Sequence, residues 1–198
     1  MTGEEILKDA KKYGMNFIDD LNSTLKKESD RGIILICAST IDSVLRDLIE
    51  KYLNKNKGRK KEISKLFEYP NPLSSFASKI QMSYCLGLIS KDIYEDFERV
   101  RKIRNNLAHG YDFKDFSSNE IASIVFKLEG AKKCWEFRIQ KNPEKFKEQK
   151  SLKKEEIDEE KISKMVFVTT VIFWLGTLAQ GDENLPDFML DKYLNSDE

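Results

Sequence analysis

The sequence has few of the residues that build metal centres, disulfide frameworks and turn-rich β folds. Its 198 residues include three cysteines and one histidine. Because no CxxC or cysteine–histidine pair occurs, neither a metal site nor a disulfide framework is expected. Four prolines and nine glycines provide little of the turn chemistry that a β-sandwich or barrel needs. The chain is therefore expected to be helical and free of cofactors, with reduced, buried thiols at Cys37, Cys85 and Cys134.

Net charge is also missing. Lys plus Arg and Asp plus Glu both number 34, so no overall field attracts the chain to nucleic acid or to an anionic membrane. No basic recognition helix stands out, and direct sequence-specific DNA binding is not expected. The N-terminus lacks the basic region and apolar run of a signal peptide. These features are typical of a cytoplasmic protein.

Apolar residues recur every three or four positions through most of the chain, which predicts an all-α bundle of about six helices. The expected helices cover about residues 3–27, 30–55, 74–86, 90–108, 118–140 and 156–180. Asp30 suits the cap of the second helix. The bundle is expected to span residues 1–140, followed by a charged linker or exposed helix start (141–161), an apolar core helix (162–181) and a loose acidic tail (182–198).

Two segments are more apolar than one amphipathic face requires. Residues 33–37 are apolar all round, so they are expected to be buried on every side, inside the fold or at an oligomer interface. Residues 165–179 carry no charge and would span about 22 Å as a helix, whereas a bilayer core is roughly 30 Å thick. A core helix or a dimer-interface helix is therefore favoured over a membrane span.

The concentrated functional signal is the segment Arg104-Asn105-Asn106-Leu107-Ala108-His109. On a helical wheel at about 100° per residue, Arg104 falls in the middle of an apolar stripe. The stripe consists of Ile93, Phe97, Val100 and Leu107. An isolated buried charge is very costly, so this guanidinium must either pair with an acid, for which Asp42 is the candidate, or line a cleft.

Arginine, asparagine and histidine can support chemistry here without a metal. Arg104 can bind a phosphate or a developing negative charge. His109 can act as a general acid or base near neutral pH, and Asn105 and Asn106 can bind phosphate or backbone groups. Arg104, Asn105 and His109 are therefore candidate catalytic residues for cleavage of RNA by its own 2′-hydroxyl. In the alternative interpretation Arg104 and His109 maintain the fold, with His109 capping a helix.

The spacing Arg104-Asn-x-x-x-His109 resembles the R-polar-x3-H motif of HEPN domains. Those domains are small helical bundles, often dimeric, and many are metal-independent ribonucleases. The resemblance implies a homodimer that brings two Arg104/His109 pairs to a shared cleft.

A longer series of segments is similar to the mannitol operon repressor family. In chain order the segments are Ser29-Asp30-Arg31-Gly32, Ile41-Asp42, Pro72 to Ile80, Tyr84 to Ser90 and Arg101 to His109. The similarity covers about residues 13–125 and implies an all-helical bundle with a role in transcriptional repression. Asp30, Arg31, Asp42 and Asn106 are the candidate ligand- or partner-binding residues.

Two functions remain open at this point. The first is a non-catalytic regulatory module that acts through a protein partner. The second is a HEPN-type endoribonuclease of a toxin or defence system, with RNA as its partner. A nuclease requires Arg104 and His109 to be exposed together in a cleft, whereas a structural role buries Arg104 against an acid.

Overall fold

The structure is a computed structural model that describes residues 17–54, 59–108, 115–141 and 158–180. These residues form α-helices joined by turns, and no strand occurs among them, which confirms the all-α prediction. The helices are α1 (described over residues 17–25), α2 (Asp30–Leu53), α3 (Lys60–Lys65), α4 (Phe76–Cys85), α5 (Lys91–Ala108), α6 (Asn119–Val125), α7 (Gly130–Lys141) and α8 (Glu159–Gln180).

The chain forms two compact units. The first contains α1, the start of α2 as far as Ile33, and helices α6 to α8. The second contains the rest of α2 from Ile34, together with α3, α4 and α5. The boundary predicted near residue 140 stays a prediction. Most of the predicted linker and the whole predicted tail (182–198) lie outside the described residues.

Helix α8 forms the centre of the first unit. It packs against α6 and α7, and every residue from Phe167 to Gly176 is buried. The rings of Phe116 and Phe167 lie 5.3 Å apart in this core. By length and composition α8 could cross a membrane, but 61% of its most apolar window is buried inside the fold. That burial is what the predicted core helix requires.

The second unit buries one face each of α2, α4 and α5. The largest fully buried side chains of these helices are Ile34, Ile41, Leu45, Ile49, Ile80, Phe97 and Ile103. Ser75 caps α4 by accepting a hydrogen bond from the amide of Ser78 at 3.0 Å. Gly87, at φ +68°, ends the same helix, which confirms the predicted stop.

The predicted helix over residues 118–140 is wrong, because a turn divides it into α6 and α7. Helix α7 begins at Gly130, where the adjoining amide of Ala131 donates a hydrogen bond to the hydroxyl of Thr170 on α8 at 3.0 Å. A Cβ at Gly130 would lie 2.6 Å from Nε1 of Trp174. The break is therefore set by contact with α8, which no local sequence pattern reveals.

Three smaller expectations are also corrected. Ser29 rather than Asp30 caps α2, since its hydroxyl accepts from the amide of Gly32 at 3.2 Å. The segment 33–37 is not buried on every side, because Leu35 is 44% exposed. Cys85 is exposed, although the other two thiols are buried.

Candidate functional site

A groove of about 510 Å³ opens in the second unit. Helix α2 forms one wall, and the residues at the start of α4 form another. Helix α5 contributes one arginine from its C-terminal half. The lining residues are Leu35, Ala38, Ser39, Asp42, Ser74, Ser75, Phe76 and Arg104. The groove therefore brings together two residues that the sequence singled out, Asp42 and Arg104.

Asp42 is held by Lys79 and not by Arg104. The Lys79 ammonium donates hydrogen bonds to both carboxylate oxygens of Asp42, at 2.7 and 2.8 Å. The Lys79 side chain is only 6% exposed, whereas that of Asp42 is 34% exposed. The negative charge of Asp42 on the groove wall is thus balanced by the buried ammonium of Lys79.

Arg104 is exposed and lines the groove, so of the two alternatives left open by the sequence the structure shows the cleft and not the pairing with Asp42. The buried face of α5 turns toward Ile103 and Leu107 near the end of the helix. Arg104 lies at the edge of that face, where the groove opens. Within the described part of the chain, its guanidinium forms no hydrogen bond or ion pair.

The two neighbouring arginines of α5 differ from Arg104 in this respect. Arg99 pairs with the buried Asp96 at 2.8 Å, and Arg101 pairs with Glu98 at 2.7 Å. The hydrogen bond from Arg101 to Glu98 raises the pKa of the Arg101 guanidinium. Since these carboxylates lie on the same helix, they offset two cations and leave the charge of Arg104 available to the groove.

The remaining candidate residues are only partly brought to this place. Asn105 and Asn106 are half-buried on α5 and do not line the groove, and His109 lies outside the described residues. Asp30 belongs to the first unit, where the Lys164 ammonium approaches its carboxylate at 2.9 Å. Arg31 is exposed in the same unit.

Sequence reasoning did not single out Lys79, which pairs with the groove carboxylate of Asp42, or the hydroxyls of Ser39 and Ser74 that line the groove. Lys79 is one of many lysines, and its pairing with Asp42 across 37 positions leaves no local signal. Ser39 and Ser74 carry hydroxyls for which the described structure shows no hydrogen bond. The motif before α4 was noticed as Pro72 to Ile80, but its contribution to a groove depends on tertiary packing.

The groove suits binding better than metal chemistry. Among the described residues, no group of three or more His, Cys, Asp or Glu side chains is placed to hold a metal ion. The arrangement offers one unpaired guanidinium, free hydroxyls and an apolar wall formed by the exposed Leu35 beside the largely buried Phe76. These groups can bind an oxyanion attached to an apolar body.

The sequence matches the mannitol repressor family over residues 17–178. No curated protein matches the chain.

Two solved structures share the fold. One is the Escherichia coli MtlR of an MtlR–HPr complex, with 16% identity and a TM-score of 0.61, covering 83% of this chain and 99% of that one. The other is a possible transcriptional regulator, YggD, from Shigella flexneri, with 15% identity and a TM-score of 0.58, covering 81% of this chain and 97% of that one. At such identities the likeness establishes the helical architecture only.

Proposed function

Because this chain belongs to the mannitol repressor family, we propose that it is a non-catalytic regulatory module that binds a protein partner and regulates transcription through that partner. The observation that carries the proposal is the family match over residues 17–178, which spans both compact units. The likeness in fold to an MtlR solved together with a protein partner supports it.

The charge of the chain supports regulation through a partner rather than through DNA. With 34 basic and 34 acidic residues, the chain lacks the electrostatic surplus that drives binding to the phosphate backbone. Helix α8 is apolar and buried over Phe167 to Gly176, α2 buries one apolar face, and neither resembles a basic recognition helix. The module is proposed to act in the cytoplasm as a homodimer, a state that light scattering of the purified chain will measure.

The relative from Escherichia coli was solved with HPr, so the HPr protein from the same source as this chain is the partner to test first. We expect saturable binding in isothermal titration calorimetry, with an unrelated protein of similar size and charge as the control. Deletion of the gene should also change expression of a reporter fused to the mannitol operon promoter. No binding together with an unchanged reporter would contradict the proposal.

A metal-independent ribonuclease is the second candidate, and one observation favours it. Arg104 is exposed, unpaired within the described structure, and located in a groove, as a catalytic arginine requires. The test is incubation of labelled total RNA and tRNA in EDTA with wild type, Arg104→Ala and His109→Ala. The regulatory proposal predicts no cleavage by any of the three, whereas cleavage by wild type alone would replace it with the nuclease.

A further inference from the structure

The groove of the second unit has the size of a small-molecule site rather than that of a protein interface. Its volume of about 510 Å³ lies within the range of about 300–1,000 Å³ that small-molecule sites occupy. A protein interface, by contrast, buries about 800 Å² on each partner over a broad surface. The size of the groove therefore favours a small ligand.

The balance of charge in the groove favours an anion. The lining includes the carboxylate of Asp42 and the guanidinium of Arg104. The carboxylate is already matched by the ammonium of Lys79, which contacts both of its oxygens. The guanidinium has no partner within the described residues, so the groove keeps one uncompensated positive charge.

The hydrogen-bonding groups also favour an oxyanion. A guanidinium presents five N–H donors in a planar fork that fits carboxylate and phosphate groups in a bidentate manner. The hydroxyls of Ser39 and Ser74 line the same groove and form no hydrogen bond in the described structure. Ser75 is already used as the cap of α4, so Arg104, Ser39 and Ser74 are the donors that remain.

An apolar surface lies beside these donors. Leu35 is 44% exposed although most of its neighbours on α2 are buried, and it lines the groove together with Ala38 and Phe76. Covering such a side chain with an apolar group stabilises a complex by about 25 cal/mol per Å² of apolar area removed from water. A ligand that is an oxyanion and nothing more would leave this surface exposed.

We propose that the groove binds a small organic molecule that carries a carboxylate or phosphate group. The oxyanion accepts hydrogen bonds from the guanidinium of Arg104, and the apolar body of the ligand lies against Leu35 and Phe76. The site is independent of the proposed protein partner, so a failure of either proposal leaves the other standing.

The experiment uses the full chain and four probes in isothermal titration calorimetry. Benzoate and phenyl phosphate carry an oxyanion on an apolar ring, benzyl alcohol carries the ring without charge, and inorganic phosphate carries the charge without the ring. The variants are Arg104→Ala and Leu35→Ala. Lys102→Ala is the matched control, because Lys102 is an exposed cation on the same helix that does not line the groove.

We expect wild type and Lys102→Ala to bind benzoate or phenyl phosphate equally, and Arg104→Ala to bind about tenfold or more weakly. Leu35→Ala should weaken binding of phenyl phosphate but not of inorganic phosphate. The tighter of the two aromatic anions identifies whether the natural head group is a phosphate or a carboxylate. Circular dichroism and thermal unfolding confirm that each variant is folded.

Four results would overturn the proposal. They are the absence of saturable binding of either aromatic anion in the millimolar range, equal binding by wild type and Arg104→Ala, equal weakening by Lys102→Ala, and binding of inorganic phosphate as tight as that of phenyl phosphate. The last would mean that the groove attracts an adventitious ion only, without recognition of an organic body.

Discussion

Lys79 does not line the groove, but its pairing with the groove residue Asp42 should contribute to the stability of the second unit. Its side chain is 6% exposed and holds both carboxylate oxygens of Asp42. Lys79→Ala leaves that carboxylate half-buried without its cation, and it also removes a long aliphatic stem from the core. We expect the free energy of unfolding to fall by about 2 kcal/mol, below the value for a fully buried pair because Asp42 keeps contact with water.

Urea unfolding followed by circular dichroism measures this loss. Lys79→Met is the matched variant, because it keeps the stem and removes only the charge. A loss below about 0.5 kcal/mol for Lys79→Ala, the range of ordinary surface substitutions, would contradict the role assigned to the ion pair.

Arg104 should behave in the opposite way. Its side chain is exposed and unpaired within the described structure, so Arg104→Ala should change the free energy of unfolding by no more than about 0.5 kcal/mol. A buried arginine paired with an acid would instead cost about 3 kcal/mol or more on removal. The same urea experiment separates the two values, and a large loss would restore the structural interpretation of the motif.

The three cysteines should differ in reactivity. Cys37 is fully buried, and burial raises the pKa of its thiol to about 12, so almost no thiolate forms at neutral pH. Cys134 is buried as well, whereas Cys85 is exposed. We expect an aromatic disulfide reagent at pH 7.5 to titrate one thiol rapidly in the native protein and all three in denaturant. Rapid reaction of two thiols in the native protein would contradict this assignment. So would a fast thiol that is still present in the Cys85→Ser variant.

At the scale of elements, the stop of α4 was predictable from local sequence, whereas the start of α7 was not. The stop of α4 follows from Gly87, whose amide donates to the carbonyl of Tyr84 at 3.0 Å while the amide of Leu88 donates to that of Ser83 at 2.9 Å. This pairing is a C-terminal motif that glycine favours. The start of α7 depends instead on Thr170, which lies 39 positions from the amide of Ala131 that it caps.

The contact between α7 and α8 predicts that Gly130→Ala destabilises the first unit. The added Cβ would lie 2.6 Å from Nε1 of Trp174 and 2.8 Å from Cγ2 of Thr170, so either these two side chains or the helices that carry them must shift. We expect a loss of about 1–3 kcal/mol, even though alanine is the better helix former. Thermal unfolding measures the change, and an increase in stability would show that the helices separate at little cost.

Thr170→Val tests the cap independently of the close approach. Valine keeps the shape of threonine but leaves the amide of Ala131 without its acceptor. A loss of about 1 kcal/mol is expected, comparable to the removal of a local helix cap. Thr177→Val is the control, because the Thr177 hydroxyl donates only to the carbonyl of Phe173 on its own helix. Equal losses in the two variants would contradict a special role for Thr170.

For the whole molecule, the sequence identified residues of the candidate site but not which of their side chains pair with one another. The motif around Arg104 and the acid at Asp42 were identified, and both line one groove. The ion pair between Arg104 and Asp42, one of the two alternatives, does not form. A helical wheel shows which face of a helix a residue lies on, but it does not show how far along the helix neighbouring helices cover that face. Lys79 lies 37 positions from Asp42, so only the packed structure reveals that it satisfies the carboxylate.

The most apolar helix provides the last prediction at this scale. Val171 is fully buried in the centre of α8, and Val171→Asp would place a carboxylate there without a cation. We expect cooperative unfolding of the first unit to be lost, because an unpaired buried charge costs more than about 4 kcal/mol. Ala179→Asp is the control, since Ala179 is exposed near the end of the same helix.

The same pair of variants separates a core helix from a membrane span. A core helix predicts a wild-type chain that remains monodisperse in buffer without detergent, a control variant with unchanged thermal unfolding, and aggregation of Val171→Asp alone. A membrane span predicts that the wild-type chain needs detergent for extraction, because about 20 apolar residues would then face lipid rather than the side chains of α6 and α7. Dependence of the wild type on detergent would therefore contradict the assignment of α8 to the core.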